Sequence, residues 1–281
     1  MRRAFDAPRA RARPGRSGPT AARVAALVLF TLFTLGGLAP VAAAPGTVPA
    51  AAAEKAAEPR RPVAAAPTTV ATAEPGMARR MQACTPCHGK EGRATSAGYF
   101  PRIAGKPAGY LFNQLVAFRE GRRPGAAMAD LVEHMDDAYL GDIAAYFAAL
   151  DLSYPPPAAP SATAEALARG ERLAREGDAR RNLPACTACH GTRLTGVLPA
   201  IPGLLGLPRD YLLGQLGAWR QGERRAAAPD CMATVARRLA DADVEAVTAW
   251  LAAQPAAADM KPAAAGTLAQ PMPLECGSGT R

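Results

Sequence analysis

Cys84-Thr85-Pro86-Cys87-His88-Gly89 returns 102 residues later as Cys186-Thr187-Ala188-Cys189-His190-Gly191. Two of the three histidines in the 281-residue chain thus close a Cys-x-x-Cys-His pentapeptide, the pattern of covalent c-type haem attachment. The spacing has a physical basis. Two thiols add to the two haem vinyl groups, and the adjacent imidazole is thereby delivered to the iron as its proximal ligand. A structural zinc site built from two Cys-x-x-Cys units would need them side by side, whereas each stands in its own segment with a histidine attached. A thioredoxin-like pair leaves both the histidine and the duplication unexplained. The reading is therefore two haem c groups, held by Cys84, Cys87, Cys186 and Cys189, with His88 and His190 as axial ligands.

The duplication extends well beyond the motifs. Tyr110 to Arg119 matches Tyr211 to Arg220 at an offset of 101, Met128 matches Met232 at 104, and Tyr146-Phe147 matches Trp250-Leu251 at 104. Four blocks in the same order mark an internal repeat. A thioether is the sixth ligand that stabilises ferrous iron and raises the potential, and Met128 and Met232 stand at equivalent positions 40 and 42 residues after the motif histidines. Met135 competes in the first repeat, but it aligns with Leu239 and reads as packing. His134 aligns with Arg238 and reads as a solvated side chain. Cys231, beside Met232, reads as a buried inert cysteine, and the pairing of Cys276 is left open.

The rest of each repeat reads as helix. Pro107 to Gly121 and Pro208 to Gly222 open on proline and close on glycine. Leu140, Ile143 and Phe147, like Val244, Val247 and Leu251, recur at helical spacing and give each copy a last helix. Gly76 and Gly170 would let the first helix of each copy cross that last helix. Pro101 and Pro199 each begin a Pro-x-x-x-Gly turn, and either carbonyl could accept the proton of the haem histidine.

Outside the repeats the composition changes. Arginine-rich residues precede an apolar run from Val24 to Leu38 and a small-residue stretch to Ala44, the order of a secretory signal over 1–43 or, uncleaved, of an anchor. Residues 44–73 are an Ala/Pro-rich linker, 74–152 the first domain, 153–162 a Pro-rich linker and 163–254 the second domain. Residues 255–281 read as a flexible tail. The formal charge of +9 sits mostly in the leader, where seven arginines face one aspartate; the remainder holds 26 basic and 23 acidic side chains. No basic stripe remains to favour nucleic acid. Residues 45–158 and 159–281 carry +1 and +2, so whole-domain charge gives the molecule no orientation.

The two Cys-x-x-Cys-His-Gly motifs, Phe100-Pro101-Arg102-Ile103-Ala104-Gly105, the Tyr110–Arg119 block with its repeat, Met128, Met232 and the closing aromatic pairs together resemble the dihaem cytochromes of the cytochrome c4 family over about residues 74 to 254. The resemblance implies an all-α fold of two tandem class I cytochrome c domains, each a small helical bundle around a covalent haem, facing across a pseudo-two-fold axis. It implies a periplasmic carrier moving electrons from a cytochrome bc complex or a dehydrogenase to a haem-copper terminal oxidase, touching the membrane only through partners or an anchor. A cytochrome docked permanently on a periplasmic dehydrogenase is the second reading. A dihaem peroxidase, an enzyme, would need one iron open or His-ligated, and both repeats keep a methionine. Two departures stand out: Ala127 and Cys231 precede the methionines where the family has methionine, and Pro199 follows His190 by nine residues where Pro101 follows His88 by thirteen. The shorter segment implies a second haem more exposed on that side.

Overall fold

The computed structural model describes residues 75–96 and 99–279; the expected signal segment 1–43 and linker 44–73 lie outside them. In the first repeat the helices are α1 (Pro75–Arg80), α2 (Thr85–His88), α3 (Ala108–Arg119), α4 (Ala126–Val132) and α5 (Asp137–Ala148). In the second they are α6 (Ala164–Arg175), α7 (Thr187–His190), α8 (Arg209–Arg220), α9 (Cys231–Arg238) and α10 (Asp241–Ala253). The two strands among the described residues, β1 (Gly196–Val197) and β2 (Ile201–Pro202), form a short antiparallel hairpin. Among the described residues no helix is long and apolar enough to cross a membrane.

Helix ends follow local chemistry. Pro107 and Pro208 stand just before α3 and α8, Asp136 accepts from the Tyr139 amide to cap α5, and Thr163 accepts from the Ala166 amide to cap α6. In the first repeat α3 packs on α5 around Leu111, Val132, Leu140, Ile143 and Phe147. In the second, α10 packs on α6 and α8 around Leu207, Leu212, Val247, Trp250 and Leu251. The expected glycine crossing exists only in the second repeat. A Cβ on Gly170 would lie 2.2 Å from the Ala246 carbonyl oxygen and 2.8 Å from Trp250 Cβ, while Gly76 has nothing within 4 Å.

The chain after Gln254 follows a fixed path over the second repeat, which corrects the expectation of a flexible tail. Ala263 pairs with β1 through Ala263 N–H to Gly196 O and Leu198 N–H to Ala263 O, both 2.9 Å. Farther on, Cys276 is joined to Cys231 by a disulfide, and Gly277 N–H donates to Pro229 O at 3.0 Å. Asn113, in the first repeat, donates to Ser278 O at 3.1 Å. The tail lacks the apolar bulk to form its own core, and it is held on its neighbour by these hydrogen bonds, the disulfide, Met260 packed against the second core and the ion pairs of Asp259 with Arg193 and Lys261 with Asp151. Within the Pro-rich linker, Tyr154 is pinned beneath the Arg102 guanidinium, 3.9 Å from the ring centre.

Candidate haem sites and the buried contact between them

Each motif histidine ends a one-turn helix and is buried. Its orientation is fixed from behind: His88 Nδ1–H donates to Pro101 O at 3.0 Å, and His190 Nδ1–H donates to Pro202 O at 2.7 Å. A carbonyl can only accept, so Nδ1 carries the proton and the Nε2 lone pair is left free for a metal. Burial holds both imidazoles below their ordinary pKa, against the opposing effect of the carbonyl hydrogen bond. The neutral, ligating form is therefore favoured. Phe100 packs its edge near His88, with centroids 6.1 Å apart.

The partner of His190 is Pro202, and the Pro199 alternative is corrected. Pro202-Gly203-Leu204-Leu205-Gly206 stands at an offset of 101 from Pro101-Arg102-Ile103-Ala104-Gly105, the same offset as the following helix. The segments from histidine to carbonyl are thus 13 and 12 residues. The apparent shortening that implied a more exposed second haem is a misaligned register.

Of the four motif cysteines, Cys87 is exposed and Cys84, Cys186 and Cys189 are half-buried. Met128 lies in the first turns of α4, packed against the first core, and Met232 is the second residue of α9. Both are half-buried. Met135 is packed into the first core as the sequence reading expects. His134 has a side chain 90% exposed beside Glu133, a solvated position. Among the described residues there is no group of three His, Cys, Asp or Glu that could hold a metal on its own.

The resemblance implied that the two domains face one another, but sequence reasoning missed the residues that make the contact. Arg123 donates to Gln114 (2.9 Å), to the Tyr211 hydroxyl (3.0 Å) and to Gln215 (3.0 Å). Arg224 donates to Gln114 (2.7 Å) and to Gln215. Each guanidinium also lies over an aromatic ring of its own repeat, Phe118 for Arg123 and Trp219 for Arg224. Tyr110 pairs with Tyr211, Gln114 with Gln215, Phe118 with Trp219 and Arg123 with Arg224, all at the offset of 101. The contact is therefore built from the same residues of both copies, as an isologous interface is. Main-chain bonds Gly109 N–H to Pro199 O (3.1 Å) and Arg225 N–H to Arg122 O (2.7 Å) flank it.

This contact is buried and cationic. Arg123 and Arg224 are 8% and 4% exposed, and Lys106, 5% exposed, donates to Gly203 O at 3.3 Å. The buried acid among the described residues is Asp243, which is taken by Arg169 and Arg181. Burial lowers Lys106 to about 8. Burial pushes both phenols up, but Arg224 and Arg123 outweigh it at Tyr110 and bring it to about 8, whereas Tyr211 stays above its ordinary value. Buried cations without carboxylate partners are costly. They fit a group that brings its own carboxylates, as two haems do with their propionates. The retained Tyr, Gln and Arg at one offset were the signal in the sequence: a repeat preserves polar residues where both copies need them.

No family model matches the chain. It is 40% identical over 191 residues to a thiosulfate dehydrogenase electron acceptor of Thiomonas intermedia, covering 68% of this chain and 85% of that protein. It is 32% identical over 170 residues to cytochrome c4 of Pseudomonas aeruginosa, covering 60% and 82%. Among solved structures, that of reduced cytochrome c4 from Pseudomonas stutzeri is similar with a TM-score of 0.54 and 30% identity, over 63% of this chain and 96% of the other.

Proposed function

The chain belongs to the cytochrome c4 family of dihaem c-type cytochromes, and from that premise we propose that it is a periplasmic carrier that takes electrons from a dehydrogenase or a cytochrome bc complex and passes them to a haem-copper terminal oxidase. It is an electron-transfer cytochrome with two covalently bound haem c groups, which supply reversible one-electron storage at iron. In this reading Cys84 and Cys87 hold the first haem and Cys186 and Cys189 the second, through thioethers. His88 and Met128 close one iron; His190 and Met232 close the other. The Pro101 and Pro202 carbonyls fix each imidazole by its Nδ1 proton, raising its basicity as a ligand. Arg123, Arg224 and Lys106 would offset the charge of propionates held near them, and their positive charge would favour those carboxylates in the ionised state.

The observation that carries the proposal is the buried contact of Tyr110, Gln114 and Arg123 with Tyr211, Gln215 and Arg224. It joins the two motif-bearing bundles directly, which supports electron exchange within the molecule. With both irons closed by methionine, the protein has no substrate chemistry of its own. The Thiomonas relative is named an electron acceptor of thiosulfate dehydrogenase, which supports a periplasmic dehydrogenase as donor and keeps open the second reading, a cytochrome held permanently on such an enzyme.

Haem quantification and a redox titration of the purified protein test this. Two haems per chain, a methionine-to-iron charge-transfer band and two one-electron steps are expected. One haem, or peroxide turnover by the protein alone, would overturn it. Co-purification with a dehydrogenase at equal stoichiometry would favour the docked subunit over the free carrier.

A further inference from the structure

The Pro-x-x-x-Gly turns behind the two motif histidines share a pattern but are held by different means. In each, the carbonyl that accepts from Nδ1–H belongs to a planar peptide unit completed by the next residue, Arg102 after Pro101 and Gly203 after Pro202. Whatever fixes Arg102 and Gly203 therefore fixes the carbonyl. Arg102 is 3% exposed, and its guanidinium donates to Ala104 O (3.3 Å), Ser153 O (3.1 Å) and Leu152 O. Gly203 has no side chain to use in this way, and a Cβ there would lie 2.5 Å from Thr195 O. The second turn is gripped from the first repeat instead. Lys106, which follows the first turn, donates from Nζ to Gly203 O at 3.3 Å, and Gly109 N–H donates to Pro199 O at 3.1 Å on the same hairpin.

One linker residue touches both turns. The Arg102 guanidinium lies 3.9 Å from the centre of the Tyr154 ring, and Lys106 Nζ lies 6.0 Å from the same centre. On the second turn Gly206 adopts φ +68°, and a Cβ added there would lie 2.3 Å from Tyr154 Cδ1, so the ring rests on the glycine backbone. The junction is built once. At the offset of 101, Arg102 and Lys106 become Gly203 and Leu207, and a Cβ on Gly105 would meet the Leu150 carbonyl oxygen at 3.2 Å where one on Gly206 meets an aromatic ring. Arg102 and Lys106 are buried cations that form no ion pair among the described residues, an arrangement that is costly to keep. Their donors are spent on main-chain carbonyls, which is positional work.

We propose that Tyr154 is a positioning residue for electron transfer: its ring joins Arg102 of the first turn to Gly206 of the second and so sets the proximal hydrogen bonds of His88 and His190 together. The inference rests on those two histidines as iron ligands. A firm Nδ1–H···O bond makes the imidazole a more basic ligand, which favours ferric iron and lowers the potential. One side chain in the linker thereby tunes both irons in the same direction.

Tyr154→Ala, Tyr154→Phe and Tyr139→Ala are compared with the wild type, all as holoproteins retaining two haems. Tyr139 is the control, a half-buried tyrosine that packs on the first core beside Arg80. Redox titration reads each one-electron step. Proton exchange at Nδ1 is followed by NMR of the ferrous protein carrying nitrogen-labelled histidine, where the chain's three histidines give a simple spectrum and solvated His134 is the internal reference. Tyr154→Ala should raise both potentials, by about threefold in each haem's ferrous-to-ferric ratio at a fixed poise, and speed Nδ1 exchange at His88 and His190 by about tenfold. Tyr154→Phe, which keeps the ring, should match the wild type in both readouts. Tyr139→Ala should leave the second haem and His190 unchanged. The role is overturned by a Tyr154→Ala variant that moves one haem or neither, by a Tyr154→Phe variant as impaired as Tyr154→Ala, or by a Tyr139→Ala variant that shifts both haems. Should Tyr154→Ala fail to hold both haems, Tyr154→Leu, which keeps apolar bulk without a flat face for Arg102, takes its place with the same expectation. Absence of two haems or of the proximal signals from the wild type removes the carrier reading itself, whereas their presence with an unaffected Tyr154→Ala removes only the junction.

Discussion

Around His190 the chain builds a β-hairpin, a disulfide and a buried carboxylate held between two arginines; around His88, among the described residues, it builds none of these. The position of Asp243 is taken in the first repeat by Tyr139, with the Arg80 guanidinium 5.9 Å from its ring centre. What the copies share is the motif, the proline carbonyl behind the histidine, the Tyr/Gln/Arg set at their contact and the downstream methionine. Those are the groups proposed to hold the haems and to position the residues that hold them. What they do not share is scaffolding, and the scaffolding is concentrated on one side. Duplication thus preserved the cofactor's requirements twice and left support free to diverge, giving a braced second bundle and an open first one.

The largest effect expected tests the shared part. Met128→Ala and Met232→Ala should each abolish about half of the methionine-to-ferric charge-transfer band and lower the potential of one haem, because a thioether is the ligand that favours ferrous iron. Spectra and redox titration of the two variants should be mirror images of each other. A loss produced instead by Met135→Ala would break the equivalence of the repeats at the iron.

Bracing is measured next. The Cys231–Cys276 bridge closes a loop of 45 residues, for which the chain-entropy ceiling is about 4 kcal/mol. Cys276→Ser should lower the stability of the second bundle by up to that amount and release the tail to proteolysis, with the first bundle unchanged in denaturant unfolding followed at each haem. A smaller loss of about 3 kcal/mol is expected for Asp243→Asn. Asp243 accepts from Arg169 (2.7 Å), from Arg181 and from the Ala240 amide (3.0 Å). Burial raises its pKa, but Arg181, the Ala240 amide and Arg169 outweigh burial and hold it below the ordinary range. A depressed folded pKa contributes stability that is complete above the unfolded value of about 3.9 and is lost as pH falls through the folded one. The gap between wild type and Asp243→Asn should therefore be full at neutral pH and close below about pH 4.

Most of this architecture is legible in the sequence for one reason: a covalent cofactor demands fixed residues at fixed spacing, and repetition checks each assignment against its copy. The helices, the two cores and the positions of Met135 and His134 follow from that register. The failures come where register was not applied strictly. Pro199 was a nearer proline than Pro202, and only the offset of 101 separates them. The burial of Arg123 and Arg224 was not read because charge alone does not report burial. The tail was misread because Ala/Pro composition signals a lack of self-sufficient folding, and says nothing about docking on a neighbour. Its signal was arithmetic: with four of six cysteines assigned to haem, two remain in an exported chain, and two leftover thiols there form a disulfide.

The smallest effect separates two glycines that the sequence treats alike. Gly170, on α6, faces the Ala246 carbonyl oxygen at 2.2 Å and Trp250 Cβ at 2.8 Å from an added Cβ, so alanine must push α6 off α10. Backbone cannot swing aside as a side-chain tip can, and overpacking of this kind costs about 2 kcal/mol. Gly76, on α1, is exposed and an added Cβ meets nothing within 4 Å. Alanine there gains helix propensity and removes freedom from the unfolded chain, a stabilisation of about 0.5 kcal/mol. Opposite signs for Gly170→Ala and Gly76→Ala, read from the melting of the respective haem-bound bundles, are therefore expected. Equal destabilisation would mean that α1 also packs tightly on α5 in the holoprotein, and the two copies would then share their crossing as well as their ligands.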